Sequence, residues 1–329
     1  MDEEDESTVF VYFDIEVRQD DKNHVANLLC AETDRNNQQY MFWGEWCVSD
    51  FLQWCYHLSH QAAVEQLIVV AHNIKEYDGY MIMEQLYKEH ITQLNHIVNG
   101  PKILTLSIPQ INFIDLLNFL PMALAEFPDM FGLTERKKGF FPHFFNKKEN
   151  EMYVGYMPEK EYYDPDGMSP KRKKEFETWY NEQVEKHTIF HFHEDLLAYC
   201  QSDVRLLKEG CMQFQKNFKE VAGFNPMLNC ITIAQACVMA YQRNWMPKNT
   251  IAVQPLHGWH PAHNQSCIAL AWLYYQEEKL RRDDHATAAA AAAAAPRVAH
   301  AGNQGEHLLD HGPLKRLLVD GYDASMRTV

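Results

Sequence analysis

The chain has 329 residues, 46% of them hydrophobic and 23% charged, a composition that supplies a real core and argues against a wholly disordered or fibrous protein. Forty-five acids against 30 bases leave a formal net charge of −15, a poor balance for gripping a phosphate backbone by bulk charge alone. Eight cysteines without a CxxC pair indicate neither a zinc ribbon nor a disulfide framework, and with no apolar run of ~18 residues and an acidic start unlike a signal peptide, a cytoplasmic or nuclear protein is expected, neither secreted nor bound to membrane.

Residues 1–8 read as a solvated acidic tail, since Asp2 to Glu6 are all acids. Val9 to Val17 has the β-branched and aromatic content of a strand, with weaker extended stretches at Val25 to Ala31 and Gln39 to Trp43. Helical spacing follows over Val48 to Leu58, then a short apolar strand at Leu67 to Ala71, then a helix over Tyr80 to His90. Lys102 to Ile108 and Ile111 to Leu117, on either side of Pro109, read as a hairpin. The order predicts an α/β domain with a mixed sheet. Pro121 to Asp166 lacks periodicity and reads as an ordered, irregular excursion. The strongest helix is predicted over Glu194 to Phe218, with an apolar stripe at Leu196, Cys200, Leu207, Cys211, Phe214 and Phe218; further helices are expected over Cys230 to Trp245 and Ser266 to Leu280. Ala288 to Ala295 is an unbroken alanine run, a low-complexity linker.

Within the first strand, Asp14 and Glu16 share a face with Phe10 and Tyr12, because side chains alternate with a period of two. A strand this apolar belongs in the middle of its sheet, where two like charges are costly unless a cation offsets them. Mg²⁺ or Mn²⁺ suits such hard oxygen ligands. A second element, His72-Asn73-Ile74-Lys75-Glu76-Tyr77-Asp78-Gly79, leaves a strand and opens a helix, which puts Asp78 at a helix N-terminus. In the third, Tyr199 and Asp203 stand four apart on one helix face. Each alone has an ordinary explanation as solvated acids, an N-cap or a surface pair; the three in this order make a stronger signal.

The triplet resembles the Exo I, Exo II and Exo III motifs of the DnaQ-like 3′–5′ proofreading exonucleases, in the tyrosine subtype found in family B DNA polymerases. The resemblance implies that Asp14, Glu16, Asp78 and Asp203 bind two divalent metal ions (Mg²⁺ or Mn²⁺) and that Tyr199 orients the attacking water. Further segments, Ile114-Asp115-Leu116-Leu117-Asn118-Phe119-Leu120-Pro121, Phe131-Gly132-Leu133 and Lys138-Gly139-Phe140-Phe141-Pro142-His143, are similar to protein-primed family B polymerases of the Maverick (Polinton) and viral type. Leu116 replaces that group's hydroxyl residue, so only the contact of Leu117 with the single strand carries over. Lys138 matches a lysine that neutralises the scissile phosphate region, and His72, Asn73 and Tyr77 are implied as substrate-strand ligands. Partners implied are a single-stranded DNA 3′ end and a terminal-protein primer. The palm motifs of a family B polymerase do not occur in this sequence, so nucleotide addition is not expected of this chain alone, which reads as truncated before the palm.

Other candidates rank lower. His191 with His193, and His257, His260 and His263, lack the partners of a soft-metal site. Lys171-Arg172-Lys173-Lys174 reads as a solvated helix face that also suits a nucleic acid backbone. The expectation is an RNase H-like (DnaQ-like) α/β exonuclease fold over residues 9–225, a helical connecting region over 226–282, an Ala-rich linker over 283–302 and a partial, endonuclease-like tail over 303–329, in which Glu306 and Asp320 are assigned no activity. The function expected is metal-dependent removal of 3′ nucleotides from single-stranded DNA. The competing readings are a transposon-derived, inactive remnant that binds nucleic acid or protein, and a stand-alone RNA exonuclease.

Overall fold

Alternation along one central strand divides the main body of the protein into two cores. The computed structural model describes residues 7–19, 24–75, 78–91, 93–133, 139–247 and 271–276, with short strands at 298–299, 307–309, 317–319 and 322–323. The chain separates into two compact units, Met1–Trp245 and Met246–Val329. In the first, β1 (Thr8–Gln19), β2 (His24–Thr33), β3 (Gln39–Trp43), β4 (Gln66–Ala71), β5 (Asn95–Asn99), β6 (Lys102–Ile108) and β7 (Ile111–Asp115) form a seven-stranded sheet in the order β3-β2-β1-β4-β7-β6-β5. β2 runs antiparallel to β1, whereas β4 is parallel to β1 and β7 parallel to β4. An antiparallel meander continued by two parallel strands is the mixed sheet of the RNase H-like fold, here extended by the β5–β6 hairpin.

The helices are α1 (Cys47–Ser59), α2 (Asp78–Lys88), α3 (Phe127–Phe131), α4 (Pro170–Glu185), α5 (Phe192–Ala222), α6 (Pro226–Asn229) and α7 (Ile233–Asn244). Val9, Val11, Phe13, Ile15 and Val17 pack into one core with Phe51 of α1 and Ile82 of α2; Phe10 and Tyr12 pack into the other with Leu196, Cys200, Leu207 and Cys211 of α5. Both faces of β1 are therefore covered, as expected for a strand flanked by neighbours on each side. α5 runs longer than its apolar stripe predicts. Its first turn is secured by the Asp195 carboxylate, which accepts from the His191 N–H at 2.7 Å, and it stops at Gly223, whose φ of +82° suits a residue without a Cβ.

Two expectations change. β7 stops at Asp115 instead of running to Leu117, because the Asp115 side chain caps a 3-10 turn over Leu116–Asn118. β5 was not predicted: Asn95–Asn99 is exposed throughout and has no apolar alternation, so only its pairing with β6 defines it. Among the described residues no helix is long and apolar enough to cross a membrane. In the second unit, residues 271–276 are helical, Val298–Ala299 pairs with Tyr322–Asp323, and His307–Leu309 pairs with Leu317–Val319. The rest of the predicted 266–280 helix, the alanine run, Glu306, Asp320 and the three histidines at 257, 260 and 263 lie outside the described residues.

The irregular excursion after β7 is ordered by polar contacts to the end of β1. Buried Arg18 donates to Glu45 at 2.9 Å and to Glu151 at 2.8 Å. Asn146 donates to the Val17 carbonyl at 3.1 Å and exchanges amide hydrogen bonds with Asn27. On the α5 side, Lys208 is buried and donates to Glu32 at 3.1 Å, to the Asn36 carbonyl at 2.9 Å and to Asn37 at 3.2 Å. Removing one member of such a pair strands the other charge in the interior. Lys208→Ala is therefore expected to lower unfolding free energy by about 3–5 kcal/mol, read by urea denaturation, whereas a loss below about 1 kcal/mol would place the pair in the class of surface bridges.

Candidate functional site

Asp14 and Glu16 occupy the half of β1 beyond its last paired residue with β4, where the register with β2 runs Asp14 to Cys30 and Glu16 to Leu28. One residue later the register shifts, with Asn27 as the extra residue of a β-bulge, a device that re-aims side chains beside functional sites. Both acids lie on the α5 face. Glu16 is buried, Asp14 half-buried, and a carboxylate oxygen of each lies with Cys200 Sγ in a group no wider than 4.8 Å. The sulfur belongs to α5 and donates to the Asp14 carbonyl at 3.6 Å. Burial, then Cys30 and the charges of Asp14 and Glu16, push the Cys200 thiol well above its usual pKa. It stays protonated and fixes helix to strand, which leaves the carboxylates as the metal donors.

The second element is a loop folded around a carboxylate for which the sequence analysis gave no role. Asp115, at the end of β7 and fully buried, accepts from the N–H groups of Asn73 at 3.0 Å, Lys75 at 3.2 Å and Leu117 at 2.9 Å. Asn73 takes a φ of +72°, a left-handed conformation that asparagine tolerates better than most residues. His72 turns inward: its Nε2 donates to the Met122 carbonyl at 2.9 Å and its ring meets Phe127 edge-on. Gly79 packs so close to the loop that a Cβ there would lie 2.5 Å from the Ile74 carbonyl oxygen, so a side chain would force backbone apart.

The tight loop delivers Asp78 as the first residue of α2, buried. Burial, reinforced by the charges of Asp14 and Asp115, pushes its carboxyl well above the ordinary range. Asp78 thus senses Asp14 from the opposite side of the sheet's crossing point, although it lies outside the 4.8 Å group.

The third element lies on α5. Tyr199 and Asp203 are both buried, and Asp203 falls one turn beyond Cys200, on the side of the helix turned to β1. Asp203 also lies outside the tightest group. His143, on the stitched excursion, has Nδ1 3.8 Å from Glu16 Oε2 and its ring edge-on to Tyr199 at 5.2 Å; Phe141 packs on Tyr199 from 5.7 Å. His143 closes the gap between the first and third elements. The sequence contained it within a matched segment, but its partner across more than a hundred residues could not be seen there. Leu117 is half-buried on the 3-10 turn, while Leu116 is fully buried in the core, a reason for an apolar residue at that position. Tyr77 and Lys138 lie outside the described residues.

A family described as DNA polymerase type B, organellar and viral, matches residues 62–264. That span contains Asp78, Asp115, Tyr199 and Asp203 and begins after Asp14 and Glu16. No curated protein matches the chain. Among solved structures it is similar to the Phi29 DNA polymerase complexed with primer-template DNA and incoming nucleotides, at 12% identity and a TM-score of 0.48, over 82% of this chain and 38% of that one. It is similar also to the Phi29 DNA polymerase complexed with single-stranded DNA, at 12% and 0.46, over 71% and 34%. The family B DNA polymerase of the archaeon Pyrobaculum calidifontis follows at 14% and 0.38, over 71% and 29%. The chain thus spans about a third of the length of these polymerases.

Two measurements test the site's construction. Asp115→Ala leaves three backbone donors without their charged acceptor and is expected to cost about 3–5 kcal/mol in urea unfolding, while Asp115→Asn, which keeps one acceptor oxygen, costs less. For Asp78, the raised carboxyl favours the folded state fully below the unfolded carboxylate pKa, and that contribution is lost as pH rises through the window above it. In metal-free buffer at neutral pH Asp78→Asn is accordingly expected to melt at a higher temperature than the parent, the gap closing as pH falls below 4; Mn²⁺ should raise the parent's melting temperature more than the variant's.

Proposed function

We propose, for a chain that belongs to the organellar and viral type B DNA polymerases, that this region carries their metal-dependent 3′–5′ exonuclease activity on single-stranded DNA. One observation carries the reading. Asp14 and Glu16 crowd together on a covered strand, and the carboxyl of Asp78 is driven up by burial and by Asp14. Such a cluster is unfavourable by itself and becomes favourable around cations.

The donor set fits Mg²⁺ or Mn²⁺, being carboxylate oxygen with a protonated thiol behind it. Asp14, Glu16, Asp78 and Asp203 are the residues that would hold a pair of such ions. When bound, the ions supply Lewis-acid charge that stabilises the phosphorane-like transition state of phosphodiester hydrolysis. The remaining work falls to the chain itself. Tyr199, braced by Phe141 and His143, offers a phenol that orients the nucleophilic water. Packing of His143 beside Glu16 limits the rotamers open to that carboxylate. Asn73, held in a left-handed conformation by Asp115, presents its amide beside Asp78 for the strand, and Leu117 lies on the turn fixed by the same aspartate. His72 braces the loop from beneath. Tyr77 and Lys138 complete the strand contacts, with Lys138 offsetting phosphate charge. Within the family the protein-primed branch is the best match for the segments at Leu117 and Lys138, which adds a terminal-protein primer as a partner of the whole polymerase.

The test is direct. With Mn²⁺ or Mg²⁺, the purified chain is expected to shorten a 5′-labelled single-stranded DNA oligonucleotide one nucleotide at a time from its 3′ end, and a matched RNA oligonucleotide more slowly. Asp14→Ala with Glu16→Ala removes several kcal/mol of transition-state stabilisation, a rate loss on the order of 10³-fold or more. Undiminished laddering in that double variant overturns the assignment; no laddering by the parent favours a non-catalytic binding module.

A further inference from the structure

Behind the catalytic tyrosine lies a cavity that the hydrolytic chemistry does not use. It has a volume of about 260 Å³ and runs along the α5 stripe of Ala198, Tyr199 and Ser202, facing the rings of Phe140, Tyr163 and Trp179. Its aromatic wall is prebuilt. Phe140 and Trp179 lie 5.2 Å apart between centroids, the Arg172 guanidinium covers Phe140 at 3.9 Å, and Arg172 Nη2 donates to the neighbouring Gly139 carbonyl at 2.9 Å.

Independent evidence for an occupant comes from Tyr163. The residue is 3% exposed, yet its buried hydroxyl has no hydrogen-bond partner among the described residues. Buried hydroxyls are nearly always bonded, and one left unsatisfied is costly to the fold. The other polar groups around the cavity are Gln183, Thr188, Ser202 and Asp195, a mixture of amide, hydroxyl and carboxylate. No lysine, arginine or histidine lines it among the described residues, so it repels phosphate. Its volume is below the ~300–1,000 Å³ of pockets for drug-sized ligands, which limits an occupant to about one ring system. A flat, uncharged heterocycle with donors and acceptors on its edge meets every one of these conditions.

We infer that this cavity is a nucleobase subsite, in which the base stacks against the Phe140–Trp179 wall and its edge is hydrogen-bonded by Tyr163 and the neighbouring polar side chains. This deepens the nuclease reading and rests on it for the natural source of the base, which is either the single strand or the released nucleoside 5′-monophosphate. Stacking on aromatic faces with edge readout is how proteins hold unpaired bases.

Binding is measured apart from cleavage, on the full chain carrying Asp14→Ala and Glu16→Ala, in EDTA, by saturation-transfer NMR with dAMP, dTMP or an oligothymidylate. Saturation is expected at the base protons. Tyr163→Phe in that background should weaken binding about three- to tenfold, the worth of one neutral hydrogen bond, with no fall in melting temperature because no internal bond is lost. Ala198→Trp, which fills the cavity, should abolish the transfer. Saturation by free monophosphates identifies a product site, and saturation by the oligonucleotide alone a strand site; either supports the subsite. Absence of base saturation in the parent, or equal affinity in the Tyr163→Phe protein, overturns it. Neither result bears on whether Asp14 and Glu16 are needed for hydrolysis, so failure of the subsite and failure of the nuclease reading are separate outcomes.

Discussion

Mutual repulsion of carboxylates on a strand that cannot move is the constraint around which this protein is organised. Asp14 and Glu16 are two residues apart on the same face of β1, with β2 on one side, β4 on the other and a core against each face. A solvated loop would relieve the repulsion by turning one acid away. Here, pairing with β2 on one edge and the apolar residues on the opposite face hold both side chains to one direction. Asp78 brings further negative charge from the N-terminus of α2, where the helix dipole compensates only part of its burial. A fold that keeps this arrangement stores an affinity for divalent cations.

Precision is supplied by side chains that carry no chemistry. Asp115 gathers three backbone N–H groups from two segments, so that the turn before α2 and the turn after β7 move as one piece. Bonds to a charged acceptor are among the stronger hydrogen bonds available to a backbone. Gly79 lets helix and loop approach to a distance no other residue allows. The bulge at Asn27, the Asn27–Asn146 exchange and the two carboxylates on Arg18 bring the excursion carrying His143 against Glu16. These are polar contacts inside a largely apolar body, and each one is specific to a single register.

The long helix α5 serves three environments along its surface. Its apolar stripe closes the core over Phe10 and Tyr12. Cys200 and Asp203 face β1, and the stripe of Ala198 and Ser202 borders the aromatic cavity. Tyr199 belongs to both of the latter surfaces, packed by Phe141 and His143 on one side and lining the cavity on the other. A single residue so placed couples the position of a bound ring to the orientation of a phenol beside the carboxylates.

Much of this was legible before any coordinates. Period-two alternation divided β1 between Asp14 and Glu16 on one face and the valines on the other, and period-3.6 spacing found α5 with Tyr199 and Asp203 four apart, because both patterns arise from local backbone geometry. Hydrophobic alternation could not reveal β5, an exposed edge strand defined by its neighbour. Nor could it reveal that Asp115 holds residues 73 and 75, that His143 meets Glu16, that His72 faces Met122, or that Tyr163 is buried with its hydroxyl unmatched. Those relations join positions tens to more than a hundred residues apart, and no local propensity encodes such a distance. Which residues can bear charge, stack or ligate was written in the chain itself; which of them meet was decided only when sheet register and helix packing brought them together.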